Sequence, residues 1–286
     1  MPELPEVETI ANDLDAYLRR RVISDIQLID KSKVLHTPLA RFKKSIVGKP
    51  IRKVFRRAKM LLIDLGDSLV VFHLKMTGQL IYVSRNKVIA GGHPIQSTGI
   101  QVPNKFTRLI FKFKDGGILY FNDLRKFGWV KTVSVDDYQK MHEAAGQEPL
   151  ESSFTYEKFC ALIRRRKKSA IKAVLLDQKL VVGLGNIYVD EVLFRAGVRP
   201  TRRVDSLKTA EIKKIFLSIP IILRKSIKER GTTFSNFLDP KGLRGNFVSH
   251  LKVYGRQQKD CKRCGAPIQK TRVAGRGTHW CKNCQV

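Results

Sequence analysis

The chain closes on Cys261-Lys262-Arg263-Cys264-Gly265-Ala266-Pro267-Ile268-Gln269-Lys270-Thr271-Arg272-Val273-Ala274-Gly275-Arg276-Gly277-Thr278-His279-Trp280-Cys281-Lys282-Asn283-Cys284-Gln285-Val286. Two Cys-x2-Cys pairs enclose sixteen residues, a spacing that suits four thiolates around one tetrahedral zinc ion. Four sulfur ligands leave no open coordination position, so one structural zinc ion is expected on Cys261, Cys264, Cys281 and Cys284. Between the pairs, Pro267–Val273 and Thr278–Cys281 flank Ala274-Gly275-Arg276-Gly277. That pattern predicts a two-stranded ribbon with Arg276 at its tip. An arginine there is either a solvated turn residue or a phosphate contact. The fifth cysteine, Cys160, stands among Phe159, Leu162 and Ile163 and reads as a small buried apolar side chain.

The charge of the whole chain favours the phosphate. Lys and Arg number 55 against 25 Asp and Glu, a formal net charge of +30. Self-repulsion on that scale calls for a polyanion partner, and nucleic acid is the first candidate. An anionic membrane is the rival, but no apolar run approaches the roughly 18 residues a spanning helix needs. Met1-Pro2-Glu3 opens on an acid rather than on the basic and apolar stretches of a signal peptide. A cytoplasmic, DNA-accessible location of bacterial type and no membrane partner are therefore expected. Four cysteines gathered in the last 26 residues also suit a reducing compartment, where clustering means metal rather than disulfides.

Upstream of the tail the period of the sequence changes twice. Residues 3–20 carry Val7, Ile10, Leu14, Tyr17 and Leu18 at helical spacing. Pro2 and Pro5 are tolerated because they lie before or within the first turn. From about 50 to 135 the pattern is of short strands: Ile51–Arg57, Met60–Leu65, Leu69–Leu74, Gln79–Val83, Leu109–Phe113, Gly117–Phe121 and Trp129–Val133. Strands at this density predict a sandwich or barrel. Residues 84–104 read as an inserted loop. After Pro149 helices are expected at 155–167, 170–178, 186–195 and 206–229, the last kinked or interrupted by Pro220. Residues 231–247 read as a mobile loop. The fold class is α+β multidomain, with a β domain over 1–135, a helical domain over 136–250 and the zinc ribbon over 251–286.

Three further stretches bear on chemistry. Arg164-Arg165-Arg166-Lys167-Lys168 at a helix end suits either a solvated C-terminus or a nucleic-acid backbone; the overall charge favours the backbone. Gly183-Leu184-Gly185-Asn186 matches no nucleotide-binding fingerprint, but it presents amides and Asn186 at a helix N-terminus, which suits a phosphate. Removal of Met1 would leave Pro2 with a secondary α-amine. Such an amine titrates near 8, against about 10.4 for lysine, so far more of it is neutral and nucleophilic. Attack on a sugar carbon would give an iminium, an electron sink for elimination. Glu3 beside it could act as general acid. The rival reading is structural, since prolines and acids also suit a first helical turn.

Taken together, these residues resemble the formamidopyrimidine-DNA glycosylases. Met1-Pro2-Glu3-Leu4-Pro5-Glu6-Val7-Glu8-Thr9, Asn122-Asp123-Leu124-Arg125-Lys126-Phe127-Gly128, Val182-Gly183-Leu184-Gly185-Asn186-Ile187-Tyr188 and the four-cysteine ribbon match that family in order along the chain. The resemblance implies an N-terminal β-sandwich with an N-terminal helix, a helix-two-turn-helix domain and a zinc ribbon, with damaged double-stranded DNA held between domains by a monomer. It implies that Pro2 attacks C1′ of an oxidised purine nucleotide, that Glu3 protonates the opening sugar, and that Glu6 supports the hydrogen bonding around them. Lys59 is implied as the lysine that contacts phosphate and assists β-elimination, and Arg276 as the arginine of the δ-elimination step. Arg125, Lys167 and Asn186 fall on DNA-binding positions. Met76, Arg125 and Phe127 fall on those that fill the gap left by an extruded nucleotide. Read alone, Met76 and Phe127 would be placed in the core.

One departure stands out. Where the family often has Lys-His-x-His, this chain has Lys105-Phe106-Thr107-Arg108. Phe106 cannot donate to a phosphate, His93 is not at the matching position, and Arg108 is the candidate to replace the lost charge. Two rivals remain at this point. An endonuclease VIII-like relative would prefer oxidised pyrimidines, but that branch usually has glycine where Leu4 stands. A non-catalytic zinc-ribbon damage sensor would bind lesions without forming a covalent intermediate.

Overall fold

Helix α1 (Leu4–Leu18) buries Leu4, Val7, Ile10, Ala11, Leu14 and Leu18 along one stripe. Each large aliphatic side chain so buried contributes roughly 2 kcal/mol. Glu3 precedes the helix in extended conformation, and Pro5 sits in the first turn, where no amide partner is lost. The computed structural model describes residues 1–29, 33–85, 87–92, 101–232 and 246–286. Packing divides the chain into two units: Met1–Glu143 with Arg230–Asn246, and Ala144–Glu229 with Phe247–Val286.

In the first unit, β1 (Ile23–Leu28), α2 (Leu39–Ile46), β2 (Lys53–Arg57), β3 (Met60–Asp64), β4 (Ser68–His73), β5 (Gly78–Ser84), β6 (Lys87–Gly92), β7 (Thr107–Phe113), β8 (Ile118–Asp123), β9 (Trp129–Ser134) and α3 (Val135–Ala144) follow α1. One antiparallel sheet has the order β1-β7-β8-β5-β6 and the other β2-β3-β4-β9. Side chains alternate across each sheet. Leu109, Phe111 and Phe113 of β7 join Leu80, Tyr82, Leu119 and Phe121 in a core shared with Leu61, Ile63, Val70 and Phe72 of the second sheet and the apolar stripe of α1. Ile110 faces the other way, with Ile81, Ala90 and Tyr120. This is a β-sandwich.

The strand expectations between 51 and 133 hold to within a few residues, but 84–104 is not all loop. It contains β6, whose Val88, Ile89 and Ala90 pair with Val83, Tyr82 and Ile81. Its glycines conceal it. A Cβ at Gly91 would lie 2.6 Å from Ile10 Cγ1, so glycine there lets α1 approach the strand. The strand β1 and helices α2 and α3 were also unanticipated. His93 and residues 233–245 of the expected mobile loop lie outside the described residues.

The second unit carries α4 (Tyr156–Arg164), α5 (Ile171–Leu176), α6 (Asn186–Ala196), α7 (Thr209–Lys228), α8 (Phe247–His250), β10 (Ile268–Val273) and β11 (Arg276–Cys281). Thr155 caps α4, and Gly197, at φ +75°, ends α6. Pro220 does not interrupt α7, which runs as one helix through it. Cys160 is buried, as its neighbours implied. The ribbon turn is tighter than expected: Val273 pairs with Arg276, leaving Ala274 and Gly275, both at positive φ, as the two-residue turn. Arg276 is thus the first residue of β11 rather than the tip.

Candidate functional site

In the first unit the amino end of α1 gathers several chemical groups. Pro2, Glu3, Glu6 and Lys59 are all buried. Lys59 reaches this position from the two-residue turn between β2 and β3, where Arg57 pairs with Met60 and Ala58 adopts φ +55°. Glu6 Oε2 accepts the Glu3 amide at 2.9 Å. Glu6 Oε1 accepts both the amide (2.8 Å) and the hydroxyl (2.9 Å) of Thr232. A Cβ at Gly231 would fall 2.8 Å from that same oxygen. Burial holds the Met1 α-amine, one residue before Pro2, below its ordinary pKa; Glu3 and Glu6 oppose the shift and Lys59 adds to it. An amine here is biased toward its neutral, nucleophilic form beside a buried carboxyl group.

A second assembly in this unit carries the expected gap-filling residues. Met76 and Phe127 are not core residues: they are 41% and 55% exposed. The Arg125 guanidinium lies 4.8 Å from the centre of the Phe127 ring. Met76 sits on the turn between β4 and β5, and Arg125 and Phe127 on the turn between β8 and β9. The two turns meet at Asp123, which is fully buried and accepts from the Thr77 hydroxyl and the Gly128 amide (2.6 Å). The Arg125 amide donates to Thr77 Oγ1 at 3.0 Å. Next to the first turn, His73 Nδ1 accepts the Lys75 amide. Burial, with Lys75 and Lys59 nearby, lowers its pKa to about 4. Arg108 does not supply the missing surface charge. It is buried, and its Nε donates to the Asp123 carbonyl at 2.9 Å.

The second unit brings Asn186 and Arg276 into one neighbourhood. Asn186 Nδ2 donates 2.9 Å to the carbonyl of Gly277, next to Arg276. Lys172 Nζ donates to the same carbonyl at 3.1 Å and to Asp190 at 2.6 Å, both side chains fully buried. Asp190 also accepts the His279 amide, and its neighbour Glu191 accepts the amides of Lys252, Val253 and Tyr254. Two adjacent acids on α6 therefore dock both ends of the ribbon segment, and burial raises the Glu191 pKa against those amides. Gln178 shapes the turn before α6, donating to the carbonyls of Leu176 and Leu184 and accepting the Gly183 amide. Arg276 is exposed, and no acidic partner for it occurs among the described residues. Lys167 is exposed on the basic run after α4.

The four ribbon sulfurs lie within 4.8 Å of one another. Cys261–Cys284 and Cys264–Cys281 separations are 3.9 and 3.5 Å, bracketing the roughly 3.8 Å edge of a tetrahedron with zinc–sulfur bonds of about 2.3 Å. The Arg263 amide also donates to Cys261 Sγ, as in a zinc knuckle. The donor set fits one structural zinc ion.

Sequence reasoning missed Thr77, Asp123 as a tie, Lys172, Gln178, Asp190, Glu191 and Thr232. The sequence signals were Asp123 within the Asn122–Gly128 motif and two acids, Asp190-Glu191, set between Val189 and Val192.

Comparison with known proteins covers the chain end to end. Residues 1–130 match the formamidopyrimidine-DNA glycosylase N-terminal domain, 145–237 the H2TH domain of the same glycosylases, and 259–286 the zinc finger found in FPG and IleRS. The chain is 41% identical to a formamidopyrimidine-DNA glycosylase of Pelotomaculum thermopropionicum over 100% of its length and 99% of the relative's. It is 36% identical to that of Listeria monocytogenes, covering 100% of both. Among solved structures, the Lactococcus lactis Fpg complex with abasic-site DNA has a TM-score of 0.85 at 35% identity, covering 99% of each chain. The complex of that protein with FAPY-dG-containing DNA has a TM-score of 0.84 at 36% identity, again covering 99% of each chain.

Proposed function

Because the chain belongs to the formamidopyrimidine-DNA glycosylase family, and is thereby a DNA glycosylase of base-excision repair, we propose that it releases oxidised purines from duplex DNA and then cuts the strand. The substrate class is 8-oxoguanine and the formamidopyrimidines. The observation that carries this reading is the buried cluster of Pro2, Glu3, Glu6 and Lys59 at the amino end of α1, where burial already lowers the pKa of the Met1 α-amine.

With Met1 removed, the Pro2 nitrogen attacks C1′ as the bond from C1′ to the base breaks. The Glu3 carboxyl group protonates the ring oxygen and opens the sugar. The resulting iminium draws electrons from C2′, so loss of a C2′ proton expels the 3′ phosphate; a second elimination expels the 5′ phosphate. Lys59 assists the first elimination and Arg276 holds the phosphate beside the lesion. Asn186 and the first-turn amides of α6 offer a second phosphate site. Lys167 adds charge along the backbone. Met76, Arg125 and Phe127 occupy the space of the extruded nucleotide, which offsets part of the few kcal/mol lost on unstacking. A monomer working in the bacterial cytoplasm completes the reading; the bacterial relatives and the net charge support it.

Borohydride trapping on a duplex containing 8-oxoguanine tests the iminium directly. Wild type should be captured covalently, and Pro2→Gly should lose most trapping and excision while keeping its affinity for lesion DNA. Equal trapping by Pro2→Gly would assign the nucleophile to another amine, Lys59 first among them.

A further inference from the structure

The two turns that carry Met76 and Phe127 share an unusual construction. In each, a non-glycine residue in the left-handed region immediately precedes the exposed apolar side chain: Lys75 at φ +48° before Met76, and Lys126 at φ +58° before Phe127. Such conformations are disfavoured by roughly 1 kcal/mol each and persist only where the surroundings over-determine them. Each turn also ends on a glycine with no room for a side chain. A Cβ at Gly78 would lie 2.4 Å from the Leu74 carbonyl oxygen, and one at Gly128 2.8 Å from the Phe121 ring and 3.0 Å from Asp123 Oδ2.

One buried carboxylate joins these turns. Asp123 Oδ1 accepts from the Thr77 hydroxyl, Asp123 Oδ2 accepts the Gly128 amide, and Thr77 Oγ1 accepts the Arg125 amide. Asp123 Oδ1 lies 3.3 Å from that same amide. The Asp123 carbonyl is held in turn by Arg108 Nε at 2.9 Å. Residues 46 apart in sequence are thus closed into one ring through a single hydroxyl and a single carboxylate. The ladders pair the feet of the two turns, Gly78 with Asp123 and His73 with Trp129, and the Thr77 and Asp123 side chains carry that connection into the turns that bear the exposed methionine and phenylalanine.

We propose that Thr77 and Asp123 are positioning residues that lock the Met76 turn and the Arg125–Phe127 turn into one preformed wedge. The proposal rests on the reading of Met76, Arg125 and Phe127 as gap-filling residues. A preset wedge matters when a stacked base must be displaced, because ordering two loops during extrusion would add to the cost of unstacking. It matters little at an abasic site, where no base has to leave the stack.

The test compares single-turnover excision of 8-oxoguanine paired with cytosine against cleavage of the same duplex carrying a preformed abasic site. Thr77→Val keeps the shape and removes the hydroxyl; Thr77→Ser keeps the hydroxyl. Thr77→Val should slow excision by about tenfold, the scale of one hydrogen bond to a buried charge, while abasic-site cleavage stays within about twofold of wild type. Thr77→Ser should restore excision. Unchanged excision in Thr77→Val, alongside slowed excision in Met76→Ala, would overturn the lock and leave the wedge standing. Unchanged excision in Met76→Ala as well would overturn the wedge itself, and the lock with it. Equal loss of both activities in Thr77→Val would show that the bond only holds the sandwich together, and would overturn the proposal too.

Discussion

Glu6 and Thr232 are 226 residues apart in sequence, yet one carboxylate oxygen of Glu6 takes both the amide and the hydroxyl of Thr232. The other oxygen takes the Glu3 amide. Every one of these donors needs an acceptor, which is why a carboxylate and not an amide stands at position 6.

Glu6→Gln must turn an NH2 group toward one of those N–H donors. The expected result is a loss of about 1–3 kcal/mol in stability and slower excision, since the amide beside the proposed general acid loses its partner. Urea unfolding and single-turnover excision check this. Unchanged stability would show that the site relaxes around the amide.

The ribbon has little apolar core of its own. Of its cluster of Phe194, Val253, Cys261, Ile268 and Cys281, two members are zinc ligands. Cys264→Ser should therefore lower bound zinc below one equivalent and sharply weaken DNA binding, with the sandwich still folded. Metal analysis together with binding and circular dichroism decides the matter; full zinc occupancy with normal binding would contradict it.

Arg276 is exposed at the start of β11, and the carbonyl of the next residue is fixed by Lys172 and Asn186. A guanidinium does not readily give up its proton, so the work of Arg276 is expected to be gripping phosphate. Arg276→Ala should weaken lesion-duplex binding and reduce the salt slope by about one contact. Excision and strand cutting should slow in parallel. Arg276→Lys should recover affinity only in part, because an ammonium lacks the guanidinium fork. Loss of the δ-elimination product alone, with affinity intact, would assign it a chemical role instead.

His73 makes the stability of the first unit depend on pH. Its pKa falls from 6.5 to about 4 on folding, so the unfolded chain binds the proton first. Stability is then full above about pH 6.5 and falls as the pH drops toward 4. Between about pH 7.5 and pH 4.5 the loss from this group should be about 2–3 kcal/mol. His73→Asn can still accept the Lys75 amide and should remove that loss. Trp129, whose ring lies 5.6 Å from His73, reports unfolding of this unit once Trp280 is replaced by Phe. An unchanged pH profile in His73→Asn would trace the acid sensitivity to other groups.

Local chemistry explains what could be read from the sequence. The zinc site, α1, seven strands of the sandwich and the helices after Pro149 each announce themselves through spacing or period. What escaped depends on approach between distant segments. β6 hides because Gly91 and Gly92 serve α1 and β5 rather than strand propensity. Phe127 and Met76 look like core residues by type, but both stand exposed on turns between strands. Arg108 looks like a surface cation, but its place is inside, on the Asp123 carbonyl.

The Glu6–Thr232 pairing has a consequence for biosynthesis. The chain emerges from the ribosome amino end first, and domains ordinarily fold in that order as they appear. Here helix α1 is among the first segments out, yet two donors to its buried carboxylate arrive only after α7 has been made. The N-terminal sandwich therefore cannot reach its final form as a nascent chain of 143 residues, even though all its strands are present by then. A fragment ending before Arg230 should expose the amino end of α1 to proteases far more readily than the finished protein does. Premature termination within Ala144–Glu229 would thus leave the first unit without these two donors.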